Sequence, residues 1–120
     1  IALNKCADIL KPGGILFLTA TPNGNSFAFN LYKEKWRMFT PYEHIHFFTV
    51  DLLTKVLSKK SMNLLSRHFQ YEETPYANIE EDFAKIVKDI SIISTENSRN
   101  NVDLSPPFPE SMLTAVWKKL

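Results

Sequence analysis

The chain is short of cysteine and glycine. It has one cysteine, Cys6, and three glycines, Gly13, Gly14 and Gly24. A lone cysteine closes no internal disulfide, so a reducing, cytoplasmic setting is expected. No G-x-G spacing occurs, which excludes the glycine-rich loop that lets backbone approach a nucleotide. Excess charge is missing as well: 14 Lys and Arg stand against 13 Asp and Glu, a net of +1. That balance gives no strong pull on nucleic acid or anionic lipid. No apolar run reaches the roughly 18 residues of a membrane span, and no signal peptide is visible. What is present is globular in composition, 44% hydrophobic and 22% charged over 120 residues, enough for one domain with a modest core. The chain begins at Ile1 and opens inside a helical pattern, so a piece of something longer is expected.

Ile1, Leu3, Cys6, Ile9 and Leu10 recur at helical spacing, and Lys11-Pro12-Gly13-Gly14 stops that helix. Residues 15–20 are apolar at successive positions and read as a strand buried on both faces, as inside a parallel sheet. Helix, glycine turn and buried strand make the second half of a βαβ unit. Thr21-Pro22-Asn23-Gly24 is a turn, and Asn25 or Ser26 caps a short helix ending at Tyr32. Residues 33–48 have no period and are dense in aromatics. They read as an ordered loop over the carboxyl end of the strand, where open α/β sheets bind ligands. Thr49 caps a helix over 50–60, and 63–71 is a strand. Asn78 caps a second amphipathic helix, to about residue 92, with Ile79, Phe83, Ile86, Val87 and Ile90 as its apolar face. Residues 94–111 form a long polar loop, and 112–118 the last strand. Three strands make a thin sheet, and these helices cannot cover both faces of a doubly buried strand. The mismatch predicts that part of the sheet comes from elsewhere.

The stretch Ile9-Leu10-Lys11-Pro12-Gly13-Gly14-Ile15-Leu16 resembles the step into the fifth strand of class I S-adenosylmethionine-dependent methyltransferases. Thr21-Pro22-Asn23 is similar to the tripeptide that follows that strand in a branch acting on glycans, lipids and quinone-like small molecules. Trp36-Arg37, then His44-Ile45-His46-Phe47-Phe48-Thr49 and Leu52-Leu53, resemble the branch's next segment. Ser61-Met62 stands where the family opens its sixth strand with Gly-Phe, and 112–119 resembles its antiparallel final strand. The resemblance covers residues 3–71 and 112–119. It implies an α/β fold, the C-terminal half of a Rossmann-like methyltransferase sheet, supplying the fifth, sixth and seventh strands with an inserted helix. Residues 1–120 are then one partial domain, and 75–111 a variable insertion within it. The implied reaction moves a methyl group from S-adenosylmethionine to a small-molecule or glycan acceptor, on oxygen. The family's cofactor-binding glycine loop has no counterpart here, so no residue of this chain is assigned to the cofactor and the isolated chain is expected to be inactive. The competing expectation is a non-catalytic interaction module, its sheet completed by a partner chain.

An alcohol acceptor must lose a proton, and histidine suits that near neutral pH. His44 matches the family's histidine and is the candidate base. His46 is the second candidate; alternation in an extended segment would place both on one face. Either one can instead simply hold loop backbone. His44-x-His46 supplies two metal ligands where zinc needs three or four, so no metal site is assigned. Trp36 and Tyr42 are candidates for an apolar acceptor pocket, against the alternative that they pack the loop. Arg37 could clamp a carboxylate or phosphate, against a structural ion pair. Asn23 is placed to meet acceptor or cofactor, against an Asx turn on its own backbone.

Overall fold

The computed structural model describes residues 2–120. Helix α1 (Ala2–Ile9) ends at Pro12-Gly13, where Gly13 takes φ +83° and its N–H donates to the Lys119 carbonyl at 2.9 Å. Only glycine enters that left-handed turn without strain. Strand β1 (Ile15–Pro22) follows. Helix α2 (Phe27–Tyr32) is capped by Ser26, whose Oγ accepts from the Phe29 N–H at 3.1 Å; a single 3-10 turn, Lys33–Lys35, extends it. Helix α3 (Val50–Ser58) begins at Thr49, whose Oγ1 accepts from the Leu52 N–H at 3.1 Å. Strand β2 (Met62–His68), helix α4 (Ile79–Glu96) and strand β3 (Met112–Lys119) complete the chain.

The protein is mixed α/β, with a three-stranded open sheet in the order β1-β3-β2. β3 runs antiparallel to both neighbours, so β1 and β2 are parallel to each other and α3 lies on the connection between them. The last strand, antiparallel as expected, fills the gap between the first two. Leu16, Leu18, Leu64, Leu113, Ala115 and Trp117 point to one face, where α1 and α3 cover them with Ala7, Leu53 and Leu57. The alternation of a strand puts Ile15 and Phe17 on the other face, and they are 49% and 61% exposed. β1 is therefore a free edge covered on one side, not a strand buried on both. Among the described residues no helix lies over that second face, because the remaining helices build a separate core.

That second core gathers Ala28, Tyr32, Trp36, Ile86 and Val102, with Phe29 and Phe47 packed on it. Phe47 and its neighbour Phe48 divide between the two cores. The result is elongated, 52 × 26 × 22 Å with a radius of gyration of 16.8 Å, against roughly 14 Å for a spherical domain of this length. Residues 97–111 are tied down rather than free: Arg99 Nε donates to the Leu31 carbonyl at 2.6 Å, the Ser105 N–H to Lys35 at 2.9 Å, and the Arg37 N–H to Ser105 Oγ at 3.0 Å.

Helix α4 differs most from its expected packing. It is four residues longer than its pattern suggests, and Ile86 is the only member of the expected apolar face that is buried. The residues buried beside it are Asp82 and Asp89. Asp89 accepts from the Tyr32 hydroxyl and from Lys85 Nζ, both at 2.5 Å, and Asp82 accepts from the Tyr71 hydroxyl at 3.0 Å. The helix is held by these hydrogen-bonded carboxylates together with Ile86, Ile92 and Ile93 on the second core; Phe83 packs on Phe108 at 4.8 Å while half-exposed, and Ile79, Val87 and Ile90 are left facing outward.

Candidate functional site at the carboxyl ends of the parallel strands

β1 and β2 end on the edge of the sheet where β3 begins, Pro22 pairing with Met112 and His68 with Thr114. This edge carries backbone strain. Ala20 sits at φ 51°, in a register shift between Leu18 and Thr21, and Glu110 at φ 66°. L residues adopt such angles only when their surroundings hold them there. Asn23 helps hold Glu110: its Nδ2 donates to the Glu110 carbonyl at 2.8 Å and its Oδ1 accepts from the Asn25 N–H at 3.2 Å. Gly24 lies so close to Phe47 that a Cβ there would be 2.7 Å from the Phe47 carbonyl oxygen. Its N–H donates to the Phe48 carbonyl at 2.8 Å, which pins the histidine loop to the end of β1.

Two depressions open on this edge. The first, about 210 Å³, is polar and shallow, between Asn23, Thr49, Asp51 and Arg67. The second is a cleft of about 260 Å³. Its walls are Met38, Tyr71, Tyr76, Pro107, Phe108 and Met112, and its polar groups are Arg37, Gln70, Thr74 and Ser111. Apolar walls with a few fixed polar groups are the usual composition of a small-molecule site. Tyr71 is the anchored wall. Its ring lies 6.4 Å from those of both Phe83 and Phe108. Burial, and then the Asp82 carboxylate it donates to, push its hydroxyl up to about 12, so it is a fixed donor and no base near neutral pH. Burial and Asp89 likewise hold the Tyr32 hydroxyl well above the ordinary tyrosine range. Outside the cleft, an exposed pair joins His68 Nε2 and Glu73, and that hydrogen bond lowers the Glu73 carboxyl from its ordinary value.

The residues singled out in the sequence are dispersed. Arg37 lines the cleft. Asn23 is buried in the polar depression with both ends of its amide bonded to neighbouring backbone. Trp36 is fully buried in the second core, 5.1 Å from the Phe29 ring and 5.5 Å from that of Phe47, so it packs the loop. Tyr42 is 93% exposed. His44 is half-buried, its N–H donating to the Thr40 carbonyl at 2.9 Å, and His46 is exposed with its ring 5.8 Å from Phe48. Neither histidine lines the cleft. Among the described residues no three His, Cys, Asp or Glu side chains gather as metal ligands, and no helix is long and apolar enough to cross a membrane.

Gln70, Ser111 and the Tyr71–Asp82 pair carry no motif. The signal available for them is positional: Gln70 follows the end of β2 by two residues and Ser111 immediately precedes β3, so adjacent strands deliver them to one edge. Comparison with protein-family models, with curated proteins and with solved structures gives no match.

Proposed function

We propose that this chain is the acceptor-side half of a class I S-adenosylmethionine-dependent methyltransferase that methylates a small molecule or glycan on oxygen. The observation that carries the reading is the cleft's position, just past the carboxyl end of β2 and at the start of β3, on the edge of the sheet where the parallel strand β1 also ends and where α/β sheets take their ligands. Two local features support it. Ser61 has a left-handed backbone, φ 55°, at the position where the resembled pattern carries glycine. β3 runs antiparallel to β1 and β2 and lies between them.

The residues present do not fit S-adenosylmethionine itself. Gly13 and Gly14 lie at the opposite end of the sheet, against Lys119, and Gly24 is pressed on Phe47. Neither β1 nor β2 ends on a carboxylate that could take a ribose hydroxyl. This chain's task in the reaction is to bind and orient the acceptor, which contributes by proximity. His44 is the candidate base for the acceptor proton, by resemblance.

The test is the intact mass of the natural protein together with its calorimetric titration by S-adenosylmethionine. A longer chain that binds the cofactor and transfers its methyl group supports the reading, and residues 1–120 alone are then expected to bind none. A natural chain of this length, or a longer one that ignores the cofactor, overturns it. The second reading, an interaction module completed by another chain, is favoured by the uncovered sheet face at Ile15 and Phe17 beside the free edge of β1.

A further inference from the structure

Two buried polar atoms without partners occur at the same place. Gln70 Oε1 and Ser111 Oγ make no hydrogen bond, and both residues line the 260 Å³ cleft. Ser111 is only 5% exposed. The Gln70 amide is held from behind: its Nε2 donates to Thr114 Oγ1, which also accepts from the Ala20 N–H at 3.3 Å and lies 3.2 Å from Thr19 Oγ1. The amide therefore offers a carbonyl oxygen that needs a donor, beside a hydroxyl that needs any partner. Proteins rarely leave such atoms unpaired, and when they do the deficit calls for an explanation. Arg37 lines the same cleft and belongs to none of the ion pairs among the described residues.

We infer that the cleft binds a small planar compound with an aromatic body, an anionic group for Arg37 and a hydroxyl for Gln70 and Ser111. The rings of Tyr71, Tyr76 and Phe108 suit a flat apolar body. The guanidinium fork suits a carboxylate. A hydroxyl serves both atoms, donating to Gln70 Oε1 while accepting from Ser111 Oγ; a carbonyl has nothing to donate to Gln70, and an ammonium would put a second cation into the cleft that Arg37 lines. Binding stands on the cleft alone; that the hydroxyl is the methyl acceptor rests on the reading above.

Calorimetric titration of the protein with para-hydroxyphenylacetate tests this, against three comparison probes: tyrosol, which lacks the charge; phenylacetate, which lacks the hydroxyl; and acetate, which lacks the ring. The hydroxylated aromatic acid is expected to bind about tenfold or more tighter than tyrosol, and Arg37→Gln to erase that difference. Arg37 is exposed, so this variant keeps the fold. Ser111→Ala removes an unpaired buried hydroxyl, so it is expected to be at least as stable as the parent yet to lose part of the preference over phenylacetate. Acetate binding as tightly as the aromatic acid, or an unchanged acid-to-tyrosol ratio in Arg37→Gln, overturns the inference. Aromatic binding without methyl transfer by the natural protein keeps the site and removes the methyltransferase reading. Methyl transfer without binding of any aromatic probe does the reverse.

Discussion

Tyr32 and Tyr71 stand in the protein where hydrophobic contacts would be expected to hold a helix. Each donates its hydroxyl to a buried aspartate of α4, at 2.5 Å to Asp89 and 3.0 Å to Asp82. The folded state keeps these phenol protons more firmly than the unfolded chain does, chiefly because burial disfavours phenolate. For Tyr71 the span runs from an ordinary 10.0 to about 12. Stability from this proton is fully present below the unfolded value and is lost as pH rises through that span. The contribution of these protons to unfolding free energy is therefore expected to be level below about pH 10 and then to fall by about 1.4 kcal/mol per pH unit for each such tyrosine. Urea titrations at several alkaline pH values check this, with Tyr71→Phe as control. The variant keeps its ring, and Asp82 keeps the Asn78 N–H at 2.9 Å. Its profile should decline less steeply than the parent's; superimposable profiles would refute the role given to Tyr71. These bonds were beyond the reach of sequence. The hydroxyl for Asp82 comes from 11 residues away and the one for Asp89 from 57, and no spacing rule links them. Of the cleft's polar groups only Arg37 was legible, because guanidinium chemistry draws attention by itself, whereas an unpaired Gln70 or Ser111 is defined by neighbours that only the fold supplies.

The turn between α3 and β2 shows a local rule broken and tolerated. Ser61 follows the helix with φ 55°, donating its N–H to the Ser58 carbonyl at 3.1 Å and accepting from the Leu120 N–H at 2.8 Å. A Cβ in that conformation clashes with the following carbonyl, at roughly 1–2 kcal/mol, and glycine avoids the clash while giving back some unfolded-state entropy. Ser61→Gly is thus expected to stabilise the protein by about 0.5–1 kcal/mol, read as a rise in urea midpoint at constant slope; a fall in midpoint would mean the serine side chain supplies something the backbone does not. Element positions were largely legible. Caps at Ser26, Thr49 and Asn78 and the breaker Pro12-Gly13 mark helix boundaries through chemistry local to a few residues. The buried face of α4 was not. Ile79, Val87 and Ile90 follow the helical period as well as any core does, yet they face outward. Periodicity registers apolar side chains and is blind to a carboxylate whose desolvation is offset by a phenol and a lysine.

At the scale of the molecule, the sheet has a covered face and an open one. Ile15 and Phe17 on β1, with Leu65 at the register shift of β2, are 49%, 61% and 56% exposed, and among the described residues β1 has no partner on its outer side. An uncovered apolar face beside an unpaired strand edge marks a contact surface. Residues 1–120 are expected to bind 1-anilinonaphthalene-8-sulfonate while folded, and Phe17→Lys with Leu65→Lys to remove most of that fluorescence. Both side chains lie in solvent, so the same pair of substitutions should alter unfolding free energy by no more than about 0.5 kcal/mol. The natural protein separates the two functional readings. If the remainder of a methyltransferase sheet covers this face within one chain, the dye finds no surface there, and Phe17→Lys buries an ammonium against apolar neighbours at a cost of about 3 kcal/mol. If a separate partner covers it, the free protein keeps its dye signal, the lysine is tolerated, and the loss appears only in the complex. A face that binds no dye in residues 1–120 and tolerates lysine in every context would be an ordinary surface, and both readings would lose the support they draw from it.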